Sequence, residues 1–323
     1  MLFLDNILRT WHKLCIASLP PTGTTGAEGR WPRPPCWRRW RRRGYHALAR
    51  LLLTMARVVP LPVGRAAGAG LGALALRVRP RERERARANL ALALPELDAG
   101  AREALLKRAA AALGANLHDA LALERLAAGG YAGVEGTAAA ATARALLAER
   151  RGLLILTGHL GCWELLGGWL ARELGGLAVV TGTIHNAPVD RLVNERRRRL
   201  GLTPLPREGD LRPLLRVLRG GGAIAVLLDQ NSPVPNVPVP FFGRSAPTSV
   251  GFARLALRTG APVLPLAIRR EGHGHFVDQL PPLRPQGGTD EGAVYSCLTR
   301  CNAALETLIR RAPAEWVWFH ARW

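Results

Sequence analysis

Short runs of consecutive apolar residues alternate with stretches of helical spacing from about residue 130 onward. The apolar runs cover residues 152–157, 177–181, 223–228 and 262–268. The helical stretches cover residues 163–174, 189–200, 211–219 and 248–259. Each apolar run is continuous rather than alternating, as in strands whose two sheet faces are both covered by helices. The pattern predicts an α/β fold with a mostly parallel central sheet flanked by helices, and ligand chemistry outside the carboxyl ends of its strands.

The pattern before residue 130 is different. Residues 51–76 are almost wholly apolar apart from Arg57 and Arg65. These two charges, with Pro60 and Pro62, argue against a straight spanning helix. A bent hairpin in the membrane interface, with both arginines reaching headgroups, fits better, and a buried helix pair is the alternative. Residues 99–127 are rich in Ala and Leu at helical spacing, which predicts a small helical subdomain.

These changes of pattern divide the chain into four predicted regions. Residues 1–44 form a basic extension, predicted to be disordered because residues 20–44 are rich in Pro, Gly, Arg and Trp. An apolar membrane-associating helical hairpin follows over residues 45–80. The helical subdomain covers residues 81–130, and the α/β domain covers residues 131–323.

Charge supports a membrane partner. Most of the formal net charge of +21 lies in the first quarter of the chain, beside the apolar hairpin. A polybasic segment next to apolar helices is typical of attachment to anionic lipid, and no nucleic-acid-binding motif accompanies it. We therefore expect peripheral or monotopic attachment to a membrane and no nucleic-acid partner. The five cysteines lack the spacing of a zinc site or a disulfide framework, which favours a reduced, cytoplasmic setting.

The candidate chemistry lies directly after the first predicted strand of the α/β domain. His159 and Glu164 are five residues apart, so on one continuous helix their side chains would diverge. They can meet if His159 lies in the strand-to-helix turn, where Gly158 and Gly161 supply backbone freedom. A carboxylate there would fix the imidazole tautomer and make His159 a general base. The alternative is a solvated histidine beside an acid at a helix N-terminus, and spacing alone leaves both interpretations open.

Several motifs together carry a family resemblance. The segment from Gly158 to Glu164, GHLGCWE, resembles the HX4(D/E) box of the bacterial lipid A late acyltransferases. Other segments similar to that family are ANLALALPEL at 88–97, Asp229-Gln230, VPFFG at 239–243, the stretches at 246–248, 254–256 and 260–263, and the closing WVWFHARW at 316–323. The similarity covers about residues 45–323.

The resemblance implies an acyltransferase without a cofactor or a metal ion. It implies that His159 takes a proton from an acceptor hydroxyl while that oxygen attacks an acyl thioester, and that Glu164 orients His159. Backbone amides at the start of the following helix would stabilise the oxyanion. The donor would be an acyl carrier protein thioester or acyl-CoA. The acceptor would be a membrane glycolipid, most simply a lipid A precursor, at the cytoplasmic face of a bacterial inner membrane.

Further residues are predicted to bind substrate. Gly161 and Trp163 belong to the box, and Asp229, at a strand end, would organise the acceptor site or nearby arginines. Phe241 and Phe242 would line an acyl-chain groove or, as is more common for aromatic pairs, pack as plain core. The remaining predictions concern cations. Arg244 would meet a phosphate or be a solvated loop arginine. The run 196–199 would form a solvated helix face or help dock an acidic carrier protein or a phosphorylated sugar. The tryptophans of the closing motif are expected to pack rather than to act in catalysis.

Two departures from the family pattern bear on the acceptor. Cys162 stands where the family usually has Asn, and it is not expected to act as a nucleophile. The family's arginine after the second strand is missing, so His185 or Arg191 would have to replace it. A mannoside glycolipid, an aminolipid or a lysophospholipid is therefore an alternative acceptor. A non-catalytic membrane-binding protein is the alternative from another class. The sequence leaves acyl-chain length and oligomeric state open, and nothing in it demands more than a monomer.

Overall fold

The computed structural model describes residues 36–184 and 186–323, with side chains from residue 44. Two helices begin this part of the chain. Helix α1 (Cys36–Val58) starts inside the region predicted to be a disordered extension. It is followed after Val59 and Pro60 by α2 (Leu61–Val78). The two prolines thus end one helix and begin the next, as the sequence predicts. Among the described residues, every helix is too short or too polar to cross a bilayer.

Helix α2 packs closely along one helix of the subdomain that follows. That subdomain contains α3 (Pro80–Ala93), α4 (Ala99–Leu121) and α5 (Leu123–Ala128). A Cβ atom on Gly68 would lie 2.4 Å from the carbonyl oxygen of Gly114, and one on Gly72 would lie 2.0 Å from that of Ala110. Only glycine permits this approach. Large apolar side chains of α1 and α2 remain exposed, and they are Leu51, Met55, Val58, Val63, Leu71, Leu74 and Val78.

The two arginines of the hairpin bind protein carboxylates, which corrects the expectation that both reach lipid headgroups. Arg57 pairs with Glu124 of α5. The Arg65 Nε atom lies 2.7 Å from Oδ1 of Asp119, a residue with no exposed surface. Arg270 NH2 and His275 Nε2 lie 2.7 and 3.1 Å from the other oxygen of Asp119. A buried carboxylate needs such partners, because its charge is costly to remove from water.

Substituting Asp119→Asn is expected to lower the free energy of unfolding by about 3–5 kcal/mol, because it leaves Arg65 and Arg270 without their shared counter-charge. Urea unfolding of the detergent-solubilised protein measures the change. Glu84→Gln is the matched control, since Glu84 and its partner Arg87 are both exposed and such pairs contribute about 0–1 kcal/mol. Equal losses in the two variants would contradict this interpretation of the Asp119 cluster.

Within the described residues, seven strands form one sheet in the order β1-β9-β8-β2-β5-β3-β4. All neighbouring pairs are parallel except β8–β9. The strands are β1 (Val134–Glu135), β2 (Leu153–Thr157), β3 (Leu177–Thr181), β4 (Leu202–Pro206), β5 (Ala223–Leu227), β8 (Val263–Glu271) and β9 (Gly274–Gln279). An antiparallel hairpin of β6 (Asn236–Phe241) and β7 (Arg244–Ser249) lies apart from this sheet. The mostly parallel sheet is confirmed.

Helices cover both faces of the sheet. One face packs on α6 (Thr137–Ala148) and α7 (Trp163–Leu174). The other packs on α9 (Arg212–Arg219), α10 (Val250–Thr259) and α11 (Glu291–Arg311). Helix α8 (Ala187–Arg199) packs against β4 and α1, and a short 3-10 turn, Pro313–Glu315, precedes the last residues. Every residue of β2 is buried, which explains its unbroken apolar run.

Candidate active site

The carboxyl ends of two neighbouring strands bring His159 and Asp229 together. Strands β2 and β5 are paired as far as Thr157 and Leu227, so the residues that follow them lie side by side. His159 Nδ1 lies 2.8 Å from Asp229 Oδ1. The backbone N–H of His159 donates to the other oxygen of Asp229 at 2.7 Å. One carboxylate therefore fixes both the main chain and the ring of His159.

Asp229 has no exposed surface, and two further side chains lie within hydrogen-bond distance of its oxygen atoms. Trp316 Nε1 donates to Asp229 Oδ2 at 2.7 Å, and His320 Nε2 lies 3.2 Å from the Asp229 carbonyl oxygen. Burial alone would raise the pKa of Asp229, but the charge of His159 and the hydrogen bonds from His159 and Trp316 hold it below its usual range. Asp229 is therefore an anion at neutral pH. Burial lowers the pKa of His320 to about 4, so this second imidazole is neutral near pH 7.

Two glycines permit the turn that carries His159. A Cβ atom on Gly158 would lie 2.9 Å from Asp229 Oδ2. Gly161 has a φ of 64°, and a Cβ atom on it would lie 1.8 Å from the carbonyl oxygen of Ile268. No other residue fits at Gly161 without displacing β8. The sequence prediction that glycines free this turn is confirmed, and His159 lies before the first residue of α7.

Backbone hydrogen bonds join the turn that carries His159 to Glu315 and to the closing segment, residues 316–323. Gly161 N–H donates to the Glu315 carbonyl at 3.0 Å, and Val317 N–H donates to the His159 carbonyl at 3.1 Å. Asn89 of α3 secures the same segment by donating to the carbonyls of Trp318 and His320, both at 2.8 Å. The closing tryptophans were expected only to pack. Trp318 is buried as expected, whereas Trp316 also donates a hydrogen bond to the site.

The carboxylate on the His159 ring nitrogen is that of Asp229, whereas the sequence assigned the orienting role to Glu164. Glu164 accepts two hydrogen bonds from Arg197, including one at 3.1 Å from Nε. Burial raises the pKa of Glu164, but the charge and hydrogen bonds of Arg197 lower it more, and the charge of His159 adds to this lowering. Glu164 thus lies close enough to act on His159 through its charge. Its carboxylate accepts hydrogen bonds from Arg197 rather than from His159, because α8 places Arg197 beside the first turn of α7, where Glu164 lies.

A cavity of about 320 Å³ opens beside His159, Trp163 and Glu164. Most of its wall is apolar and comes from both sides of the sheet. The apolar lining includes Ile155, Leu166, Leu170, Val179, Leu202, Leu214, Ala225, Phe252 and Leu255. Its polar lining includes Arg196, Arg197, Arg207, Gln230 and Ser232. The arrangement suits a hydrocarbon chain whose polar end lies near His159.

The other residues predicted to bind substrate are divided between the cavity and places outside it. The Trp163 ring lies 4.9 Å from the His159 ring and lines the cavity. Phe241 and Phe242 are buried against Trp316 and one another, outside the cavity wall, so the predicted acyl groove is not formed by them. Their side chains instead fill the core beneath the closing segment.

Two arginines predicted to bind a phosphate also fall outside the cavity. Arg191 and Arg244 are exposed and do not line it, and His185 lies outside the described residues. Within the run 196–199, Arg198 and Arg199 are exposed as a solvated face would be. Arg196 and Arg197 instead line the cavity, so the interpretation of the run as a solvated face holds for only half of it.

Arg207 is a cavity residue that sequence reasoning missed. It follows β4, and its NH1 donates to Ser232 Oγ at 3.1 Å. The only sequence signal was its place at a strand end, and that strand, LTPLP, was hidden by two prolines. Cys162 is buried, and burial raises the pKa of its thiol above its usual value, in agreement with the expectation that it is not a nucleophile.

Comparison with known proteins agrees with this geometry. The family model described as bacterial lipid A biosynthesis acyltransferase matches residues 38–323. Phosphatidylinositol mannoside acyltransferases of Mycolicibacterium smegmatis and Mycobacterium tuberculosis are 28% and 29% identical over 177 and 183 residues, covering 54% and 55% of this chain and 57% of each relative. The lipid A biosynthesis lauroyltransferase of Escherichia coli is 28% identical over 185 residues, covering 55% of this chain and 58% of the relative.

The matched part of the chain thus spans a little over half the length of these relatives. The match to the family model covers residues 38–323, and therefore includes the turn at His159, the strand end at Asp229 and the closing segment. These are the elements that the structure brings together at one end of the sheet. The chain belongs to the bacterial lipid A biosynthesis acyltransferase family.

Proposed function

We propose that this protein transfers a fatty acyl chain from an acyl thioester to a hydroxyl group of a membrane glycolipid. The observation that carries the proposal is the hydrogen bond from His159 to Asp229 beside an apolar cavity. A binding protein has no need for an imidazole whose tautomer is fixed by a buried carboxylate. An acyltransferase needs both that base and a cavity for hydrocarbon.

The hydrogen bond to Asp229 sets the chemistry of His159. With its proton on Nδ1 facing Asp229, His159 keeps a lone pair on Nε2. Nε2 takes the proton of the acceptor hydroxyl as that oxygen attacks the thioester carbonyl carbon. The C–O bond forms and a tetrahedral oxyanion results. When this collapses, the C–S bond breaks, and the leaving thiolate takes the proton from the His159 imidazolium. No acyl-enzyme intermediate is required.

The start of α7 is the proposed source of the oxyanion donor. Amides in the first turn of a helix have no carbonyl partner within that helix, and the helix dipole favours negative charge there. Helix α7 begins at Trp163, four residues after His159. The Gly161 amide is not such a donor, because it is bound to the Glu315 carbonyl. The amide of Glu164 is the proposed donor.

The exposed apolar side chains of α1 and α2 are proposed to bring the enzyme to its lipid acceptor. The seven side chains described above lie on these two helices alone, whereas elsewhere among the described residues only Tyr295 is a large exposed hydrophobic residue. An apolar face of this kind enters the interface of a bilayer without crossing it. We propose monotopic attachment at the cytoplasmic face of the bacterial inner membrane.

Two acceptors are proposed, in order. A lipid A precursor follows from the family, and a mannoside glycolipid follows from the mycobacterial relatives. Both present sugar hydroxyls beside phosphate. Arg207, which lines the cavity and binds Ser232, is the cation proposed to meet that phosphate in place of the missing arginine. An acyl carrier protein thioester is the proposed donor, and acyl-CoA is the alternative.

In the direct experiment, the purified full-length protein is incubated with a radiolabelled acyl thioester and with each acceptor in turn. Tetra-acylated lipid A precursor, phosphatidylinositol mannoside and lysophospholipid are assayed in neutral detergent micelles. The expected result is one new acyl chain on a glycolipid, seen by mass spectrometry. Transfer to lysophospholipid alone would overturn the glycolipid acceptor. Absence of transfer from either donor to any of the three would overturn the proposed reaction.

A further inference from the structure

One exposed surface of the α/β domain carries positive charge alone. The α9–α10 face consists of Arg212, Arg216 and Arg219 of α9 with Arg254 and Arg258 of α10, all of them exposed. Helices α9 and α10 pack against each other, and neither contains an acidic residue. The five arginines therefore form one continuous basic surface.

Some exposed arginines elsewhere in the described chain differ from these, because a neighbouring glutamate neutralises them. Arg144 pairs with Glu173 at 2.8 Å, and Arg87 pairs with Glu103 at 2.9 Å. On the α9–α10 face, only Arg212 has an acidic partner, Asp210 at 3.4 Å, and both side chains of that pair are largely exposed. The remaining four arginines make no ion pair with described residues. Uncompensated charge of this kind attracts an oppositely charged partner.

The surface is unsuited to entering a membrane. Among the described residues, the large exposed hydrophobic side chains lie on α1 and α2, apart from Tyr295. None of them lies on α9 or α10. A purely ionic face without apolar anchors fits the polar surface of a soluble acidic protein. Two such rows, about 10 Å long on α9 and about 6 Å long on α10, and about 8–10 Å apart, also exceed the span of a single phosphate group.

The position of the face connects it to the cavity. The inner sides of the same helices line the cavity through Leu214 of α9 and Phe252 and Leu255 of α10. The N-terminal ends of the two helices reach the cavity too, through Leu211 and Gly251. A partner bound to the outer side would therefore lie about one helix diameter, roughly 10–12 Å, from the acyl-binding space. It could deliver a chain around the N-terminal ends of the helices.

We propose that the α9–α10 face docks an acidic carrier protein that delivers the acyl thioester. The proposal rests on the proposed function and on its carrier-protein donor, and it assigns the docking site of that donor to these two helices. The donor would then approach α9 and α10 while the lipid acceptor approaches from the side of α1 and α2. The two substrates would use separate surfaces of the enzyme.

The test is the full-length double variant Arg216→Glu with Arg254→Glu, assayed in neutral micelles with two donors that carry the same acyl chain. One donor is the acyl carrier protein thioester, and the other is the S-acyl pantetheine fragment, which lacks the protein. The KM for the carrier thioester is expected to rise at least about tenfold with kcat nearly unchanged, while both constants for the fragment stay the same. Added salt should weaken wild-type binding of the carrier.

Arg108→Glu is the matched control, because Arg108 is exposed on α4 and its substitution changes the charge equally per site. Its KM for the carrier thioester is expected to stay at the wild-type value. An unchanged carrier KM in the double variant would overturn the proposal. So would an equal rise in KM for both donors, or lost binding to anionic vesicles with normal carrier kinetics.

Direct binding separates this proposal from the proposed reaction. Fluorescence anisotropy with labelled acylated carrier protein measures docking without any acceptor. If the wild type binds the carrier and the double variant does not, the docking site is supported even when no acceptor is acylated. In that case only the proposed reaction is contradicted. Transfer that proceeds from a carrier thioester with equal affinity in both proteins supports the reaction and removes the docking site.

Discussion

Substituting His159→Ala is expected to lower kcat for acyl transfer by about 10²–10⁴-fold, because it removes the base that takes the hydroxyl proton. The remaining rate comes from substrate binding and from the oxyanion donor in α7. Binding to anionic vesicles is expected to stay unchanged, since the exposed apolar residues lie on α1 and α2. Kinetics with the carrier thioester and flotation with vesicles measure the two effects.

The control for this change is His273→Ala, which removes an imidazole that is exposed and outside the cavity. Its only described contact with the hairpin uses the backbone carbonyl, which accepts from Arg65 and survives the substitution. This variant is expected to keep wild-type kcat. Full activity in His159→Ala would show that another group removes the proton and that the mechanism proposed here is wrong.

Substituting Asp229→Asn is expected to cost about 10²–10⁴-fold in kcat while the side-chain volume stays the same. Asp229 Oδ2 accepts from Trp316 and from the His159 backbone, so the Asn oxygen is held at that position. The NH2 group must then face His159 Nδ1. A donor there forces Nδ1 to become an acceptor and moves the ring proton to Nε2. The nitrogen that should act as the base is then blocked.

Comparison with Glu164→Gln tests which carboxylate orients His159. That change leaves the Asp229 contacts intact and keeps one acceptor for Arg197, so its loss of kcat is expected to be much smaller than that of Asp229→Asn. Its main effect is expected on stability, about 1–3 kcal/mol, because the half-buried Arg197 loses a charged partner. Steady-state kinetics and urea unfolding provide both values. A loss of kcat in Glu164→Gln that is larger than the loss in Asp229→Asn would show that Glu164 orients His159.

The central strands of the α/β domain were predictable because they have one strong signal, an unbroken apolar run. Four of its helices were predictable from their helical spacing. Strand β2 is buried throughout and was predicted within one residue. Strand β4 was missed, because the prolines of LTPLP are atypical of a strand, although its place at the edge of the sheet tolerates them. Strand β9 was missed because its sequence, GHFVDQ, is mostly polar and only half buried.

The site was predictable in its base but not in the partner of that base. His159 is marked by its turn and by the glycines around it. Asp229 is 70 residues away, and only the pairing of β2 with β5 brings it to His159. Nothing in the sequence states that these strands are neighbours, because β3 and β4 lie between them along the chain. The sequence points to Glu164 as the partner because it lies near His159 along the chain. Arg207 was missed because it lies far from His159 along the chain.

The contact of Asn89 with the carbonyls of Trp318 and His320 joins residues that are 229 and 231 positions apart. Contacts of such long range form late in folding, because the chain must first be brought together at a high entropic cost. The turn of His159 and the carboxylate of Asp229 both depend on that closing segment for hydrogen bonds. We therefore expect catalytic competence to appear in the last step of refolding, after the sheet and its helices are in place. Before that step, the chain would carry its apolar hairpin exposed and no functioning base, so membrane association would precede activity.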